Sequence, residues 1–199
     1  TMEYRTIRQD GQAQEEIKKS RFICHAKRVY SEEEARDFIA AIKKDHYKAT
    51  HNCSAFIVGE KSEIKRTSDD GEPSGTAGVP MLAVMENHQL TNVCFVVTRY
   101  FGGIKLGAGG LIRAYAGSVA LAIKEIGLIE IKEQAGLRLK MSYSQYQNFD
   151  NFLKAEDLIE FDTEFTDLVA TTIYIDKQEK ETLEQKLIEF FNGKIQIDD

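Results

Sequence analysis

The stretch that most narrows the possible folds is NVCFVVT (92–98), because Val93 to Val97 is apolar at every position. A half-solvated strand alternates apolar and polar residues, so an unbroken run calls for a central strand covered on both faces. Directly after it comes RYFGGIKLGAGGLIRAY (99–115), which holds five of the chain's fourteen glycines. From about Ala108 to Ile126 the residues Leu111, Tyr115, Val119, Ala122 and Ile126 recur at helical spacing, with Gly127 near the C-terminal end. A buried strand, a glycine-rich turn and an amphipathic helix therefore follow one another.

The residues before and around this unit read as α+β structure. EYRTI and the long run EEIKKSRFICHAKRV are extended, with a turn at Asp10-Gly11. Ser31 and Glu34 form a capping box ahead of a helix carrying Ala35, Phe38, Ile39, Ile42 and His46. HNCSAFIVGE (51–60) and EIKRTSD (63–69) pair as a hairpin, and DDGEPSGTAG (69–78) is a loop before a short helix through MLAVMEN. Thr76 is the expected cap of that helix, with Pro80 tolerated in its first turn. After residue 134 the pattern resets. LRLKMSY (137–143) alternates, and Ser144 with Gln147 caps a helix bearing Tyr146, Phe149, Phe152 and Leu153. LIEFDTEF (158–165) and LVATTIYI (168–175) are strands, a helix runs from about Gln178 to Phe191, and KIQID closes as a strand. The order βαββαβ is the split-βαβ, ferredoxin-like arrangement. The expectation is two α+β domains, 1–134 and 135–199, joined directly.

Charge changes at the same place. Residues 1–134 hold 19 Lys and Arg against 18 Asp and Glu, whereas 135–199 hold 7 against 14. The net charge of −6 argues against indiscriminate nucleic-acid binding but leaves room for a local basic patch. No apolar run approaches the ~20 residues of a membrane span, and no charged-then-apolar leader opens the chain. Cys24, Cys53 and Cys94 lie far apart with no CxxC, so reduced core thiols in a cytoplasmic protein are expected, with no membrane partner.

The glycine segment carries the most chemistry. The first N–H groups of a helix lack intrahelical partners, and the helix dipole places partial positive charge there. Gly102, Gly103, Gly107, Gly109 and Gly110 let backbone approach an anion closely, while Arg99, Lys105 and Arg113 add formal charge. Tyr100, Phe101 and Tyr115 can stack on a base or line a groove, and Lys65 with Arg66 extends the patch. The segment matches neither GxGxxG nor GxxxxGK[ST], so no nucleotide fingerprint is present. The competing reading is that these glycines let the helix pack closely on the sheet.

SDDGEPSGTAG (68–78) is the second constellation. Asp69, Asp70 and Glu72 could face Mg²⁺, but the calcium-loop pattern is absent, and turn and capping duty is the expected role. No cofactor or metal is expected beyond that option. Ser74 or Thr76 as a nucleophile lacks the GxSxG elbow. His51 and Cys53 alternate on one strand and share a face, which suits a buried thiol beside a hydrogen-bonded histidine better than a nucleophilic pair.

RYFGGIKLGAGGLIRAY at 99–115, SDDGEPSGTAGVPML at 68–82 and THNCSAF at 50–56 together resemble the signature of the IMPACT family, whose bacterial members are the YigZ-like proteins. The resemblance covers essentially the whole chain. It implies an N-terminal domain with the left-handed βαβ-type fold of ribosomal protein S five domain two, shared with elongation factor G domain IV and the GHMP kinases. It also implies a C-terminal domain similar to the ferredoxin-like domain V of elongation factor G. Translation factors use both folds against ribosomal RNA. Eukaryotic IMPACT relatives act on the amino-acid-starvation pathway, but their partner binding is associated with an RWD domain that this sequence does not match. GHMP kinases place a glycine-rich loop on nucleotide phosphates, and GGIKLGAGG is only analogous to it.

The favoured expectation is a non-catalytic, translation-associated regulator that binds RNA or a ribosomal surface through the basic glycine-rich groove. Two alternatives stay open: an enzyme or binding protein for a phosphorylated small molecule or nucleotide, and a protein–protein adaptor. The sequence does not set the oligomeric state.

Overall fold

The structure is a computed structural model and describes residues 3–198. It forms two compact units, one ending at Ile131 and the other beginning at Lys132.

In the first unit, β1 (Tyr4–Ile7) pairs with β7 (Leu128–Ile131), joining the two ends of the unit. The main sheet contains β2 (Gly11–Ile17), β3 (Ser20–Arg28), β4 (His51–Val58), β5 (Ile64–Ser68) and β6 (Val93–Tyr100), in the order β2-β3-β6-β4-β5, with every neighbouring pair antiparallel. Three helices accompany it: α1 (Glu32–Asp45), α2 (Gly78–Asn87) and α3 (Gly107–Ile126). β6 is the central strand. Val93, Phe95 and Val97 join the core shared with α2 and α3, while Cys94 and Val96 join the core shared with α1. That two-sided burial is the physical reason for the unbroken apolar run. β3 and β4 both lie antiparallel to β6, so they run parallel to each other, and α1 is the crossover that joins them.

One turn departs from the sequence reading. The extended run through EEIKKSRFICHAKRV breaks at Lys18-Lys19, both in left-handed conformation with φ 45° and 66°. Positive φ at two central residues is the hairpin geometry whose twist matches the flanking strands. Two lysines give no Gly or Asn signal for it.

On the α1 face, His25 Nε2 and Thr98 Oγ1 lie 3.1 Å apart, and Thr98 Oγ1 donates to Asn52 Oδ1 at 2.7 Å. Burial first, then the nearby His46, pushes the His25 pKa from 6.5 down to about 4, with Asp45 acting in the other direction. The folded protein therefore keeps His25 neutral where the unfolded chain protonates it, and this contribution to stability is lost as pH falls from about 6.5 towards 4. The urea midpoint is expected to decline across that window, and to decline less in His25→Gln.

The second unit contains β8 (Gln134–Met141), α4 (Tyr143–Glu156), β9 (Glu160–Phe165), β10 (Val169–Asp176), α5 (Lys180–Phe190) and β11 (Gln196–Asp198). The sheet order is β11-β8-β10-β9 with antiparallel neighbours, which is the ferredoxin-like arrangement. Leu137, Leu139, Met141, Ile173 and Ile175 pack with Phe149, Phe152, Leu183 and Leu187. The expected cap of α4 is displaced by one S-x-x-Q register. Ser142, not Ser144, accepts from the Gln145 N–H at 3.1 Å, and Gln145 Oε1 accepts from the Ser142 N–H at 2.7 Å. The strand ends two residues earlier than its alternation suggests, so the helix starts sooner. Among the described residues no helix is long and apolar enough to cross a membrane.

Candidate functional site: an open helix N-terminus above a buried Glu72 cluster

The three signature stretches converge on Glu72, whose side chain is 3% exposed. Arg99 leaves β6 in phase with Val93, Phe95 and Val97, so it points into the α2–α3 side of the sheet. Its Nη1 donates to both Glu72 oxygens, at 2.9 and 3.2 Å. Its Nε and Nη2 donate to Ser20 Oγ at 3.3 Å, and its guanidinium lies over the Phe22 and Phe101 rings. Tyr115, buried on α3 and edge-on to Phe22, donates its hydroxyl to Glu72 Oε2. Burial, then Cys53 and Glu72, pushes the Tyr115 pKa far up and keeps it a neutral donor. His51 Nδ1 donates to the Asp70 carbonyl at 2.8 Å, and its Nε2 lies 3.3 Å from Glu72 Oε1.

The loop carboxylates have separate duties. Asp69 accepts from the N–H groups of Gly75, Ala77 and Gly78 at 2.9, 3.2 and 2.9 Å. Burial pushes its pKa up, but those three donors together outweigh it and hold the carboxyl below its usual range. Asp69, rather than Thr76, therefore caps α2 across the loop; Thr76 is buried and donates to the Pro73 carbonyl. Asp70 accepts from the Asn52 N–H at 2.7 Å and lies 3.6 Å from Lys43. Asp69, Asp70 and Glu72 thus face three different sets of protein donors instead of one point, and among the described residues no group of three or more His, Cys, Asp or Glu could hold a metal. Ser74 is exposed on the loop. Cys53 donates to the Asp69 carbonyl at 3.0 Å, and burial pushes its pKa up to about 12, so it is no thiolate.

The expected cationic patch is rearranged by these contacts. Arg99 and Tyr115 lie inside and hold the site from below, because the charge that Arg99 carries is already matched by Glu72. Tyr100 faces the other side of the sheet, where its hydroxyl bonds His46 Nδ1 at 2.7 Å and Arg21 lies over its ring. Lys65 and Arg66 are level with Ile57 and Phe56, and through them with Val93 and Cys94, at the start of β6. At ~3.3 Å per residue they stand about 20 Å from Arg99, paired with Glu86 and Glu32.

What remains on the surface is the helix start. The first turn of α3 at Gly107–Gly109 is exposed, its N-cap position Leu106 makes no side-chain cap, and Gly103 and Gly107 have φ of +91° and +75° with open space around them. Lys105 and Arg113 are exposed and have no ion pair among the described residues, and the Arg113 guanidinium reaches back to Gly109. Phe101 and Ile104 are 46% and 42% exposed beside it. The sequence reading missed Lys18 and Lys19. Their turn packs against Gly102, whose N–H donates to Ser20 Oγ at 3.3 Å, so both exposed lysines border the glycine segment. The signal available was the break in alternation before Ser20.

A chain with this pair of units and these stretches matches known proteins along nearly its whole length. The domain described as "Impact N-terminal domain" matches residues 18–123, and a "Domain of unknown function (DUF1949)" matches residues 139–194. The chain is 44% identical over 194 residues to "IMPACT family member YvyE" of Bacillus subtilis, covering 98% of this chain and 89% of that protein. It is 32% identical over 185 residues to "IMPACT family member YigZ" of Escherichia coli, covering 92% and 91%. A solved structure, "Crystal structure of an hypothetical protein", superposes with a TM-score of 0.65 at 31% identity, covering 99% of this chain and 97% of that one. The chain belongs to the IMPACT family.

Proposed function

We propose that this protein is a non-catalytic regulator associated with translation in the cytoplasm, and that it binds RNA, free or on a ribosomal surface, at the start of α3. The observation that carries this reading is the exposed first turn of α3, without a side-chain cap at Leu106, flanked by the exposed Lys105 and Arg113. Backbone donors and the helix dipole favour phosphate there, and the two side chains add the charge that RNA backbone recognises. Phe101 offers a face on which a base can stack. The likeness to the IMPACT family supports placing that role in translation.

Salt titration of binding to a single-stranded RNA tests it. With Lys105, Arg113 and one of the turn lysines on phosphates, the log–log slope is expected near −2, and Lys105→Ala with Arg113→Ala should flatten it by about 1.4. Both side chains are exposed, so the thermal midpoint should stay put. No binding at low salt, or an unchanged slope in the double variant, overturns the assignment. A nucleotide that raises the melting temperature while RNA does not would favour the small-molecule reading instead.

A further inference from the structure

The second unit carries a different surface, at the junction of α4 with the edge of its sheet. β9 is the last strand in the order β11-β8-β10-β9, so its outward backbone groups have no strand partner among the described residues. An open groove of about 600 Å³ lies between α4 and the start of this strand, lined by Tyr146, Leu153, Leu158 and Ile159, with Glu160 and the Asp150–Lys154 ion pair also on its wall. Ile159 is 70% exposed and Phe161 46%. Leu158 also lines a neighbouring concavity of about 530 Å³ in which Lys186 pairs with Glu156, leaving Asp157, Asp176 and Glu179 as its excess of negative charge. An apolar groove, a free strand edge and an acidic basin therefore meet at 158–161.

We propose that this junction receives an extended, basic segment of a partner polypeptide, which adds to the β9 edge. Each part of the surface selects a feature of that occupant. A free edge beside a helix favours an extended chain, through main-chain hydrogen bonds and pockets for alternate side chains. The apolar lining favours alternate apolar residues, seated against the exposed Ile159 and the half-buried Leu158. The carboxylates favour Lys or Arg in the remaining positions, and residues 135–199 hold 14 acidic against 7 basic residues. The same charge repels RNA phosphate and a second copy of this unit. β9 sets the length of the added strand: Asp162 has φ 51° and the pairing register with β10 shifts beside it, so the edge is regular only up to Phe161. The site reads a short segment, and it lies outside the RNA surface proposed above.

The test is amide-resolved NMR on the ¹⁵N-labelled full chain with a synthetic acetylated heptapeptide, Lys-Val-Lys-Ile-Arg-Val-Lys. Shifts are expected at Leu158–Phe161 and around Asp150 and Asp176. Methylating alternate peptide nitrogens removes the strand donors, and replacing the basic residues by Glu reverses the charge; each should weaken binding about tenfold, the scale of one or two net hydrogen bonds or charge contacts. Ile159→Lys with Glu179→Lys, both exposed positions, should do the same with an unchanged circular dichroism spectrum. The proposal is overturned if the peptide shifts nothing there, or if the N-methylated form binds equally. It is also overturned if oligouridylate moves the same amides, or if they move with protein concentration alone.

Discussion

Substituting Glu72 with alanine is expected to destabilise the first unit by about 3–5 kcal/mol, because the Arg99 guanidinium would stay buried without its counter-charge. Arg99 is 5% exposed, and after the change Ser20 Oγ would be its remaining acceptor. The Tyr115 hydroxyl would lose its acceptor in the same stroke, and His51 would lose the oxygen facing Nε2. A loss of that size corresponds to a fall in melting temperature on the order of 10–20 °C. The chain has no tryptophan, so far-UV circular dichroism is the readout. Glu72→Gln keeps the shape and one acceptor and should fall between. Glu72→Leu combined with Arg99→Met should recover much of the loss, since an apolar pair of similar volume removes the uncompensated charge. A Glu72→Ala variant that melts with the wild type would show that Glu72 is not the hub.

The contrast between Arg99 and Lys105 shows what the sequence made legible. Val93, Phe95, Val97 and Arg99 share one parity on a strand whose odd positions are core, so Arg99 had to point inward, and an inward arginine needs a carboxylate. The unbroken apolar run, covered on both faces, carried that information, yet the cluster of positive residues drew Arg99 into the surface patch. Arg113 falls between Leu111 and Tyr115, off the buried stripe of α3, and was readable as exposed. Glu72, by contrast, is 27 residues from Arg99 and 43 from Tyr115, and no local pattern says which of the loop carboxylates meets them. Lys65 and Arg66 precede the acidic loop in sequence but stand at the far end of the sheet, because register belongs to strand pairing and not to composition. In the second unit the order βαββαβ carried the sheet arrangement, although β9 breaks its period at Asp162.

Gly102→Ala is the companion test of how the surface is held up from beneath. A Cβ at this position would lie 1.9 Å from the Lys19 carbonyl oxygen and 2.1 Å from its carbon, backbone atoms that no side-chain rotation can clear. The Lys18-Lys19 turn and the glycine segment would have to separate by more than 1 Å, roughly the difference from ordinary contact. That costs about 1–3 kcal/mol as overpacking. The separation also pulls on Ser20 Oγ, which accepts from Gly102 N and from two nitrogens of Arg99, so the strain reaches the ion pair with Glu72. Valine at the same place should be worse. Gly117→Ala is the counter-case: it sits inside α3 with nothing within 4 Å, so the added methyl should stabilise by about 0.5–1 kcal/mol through helix propensity. If both alanine variants unfold at the same urea concentration, the hairpin turn does not press on the glycine segment. Lys18 and Lys19 would then have no structural reason to share a surface with the start of α3.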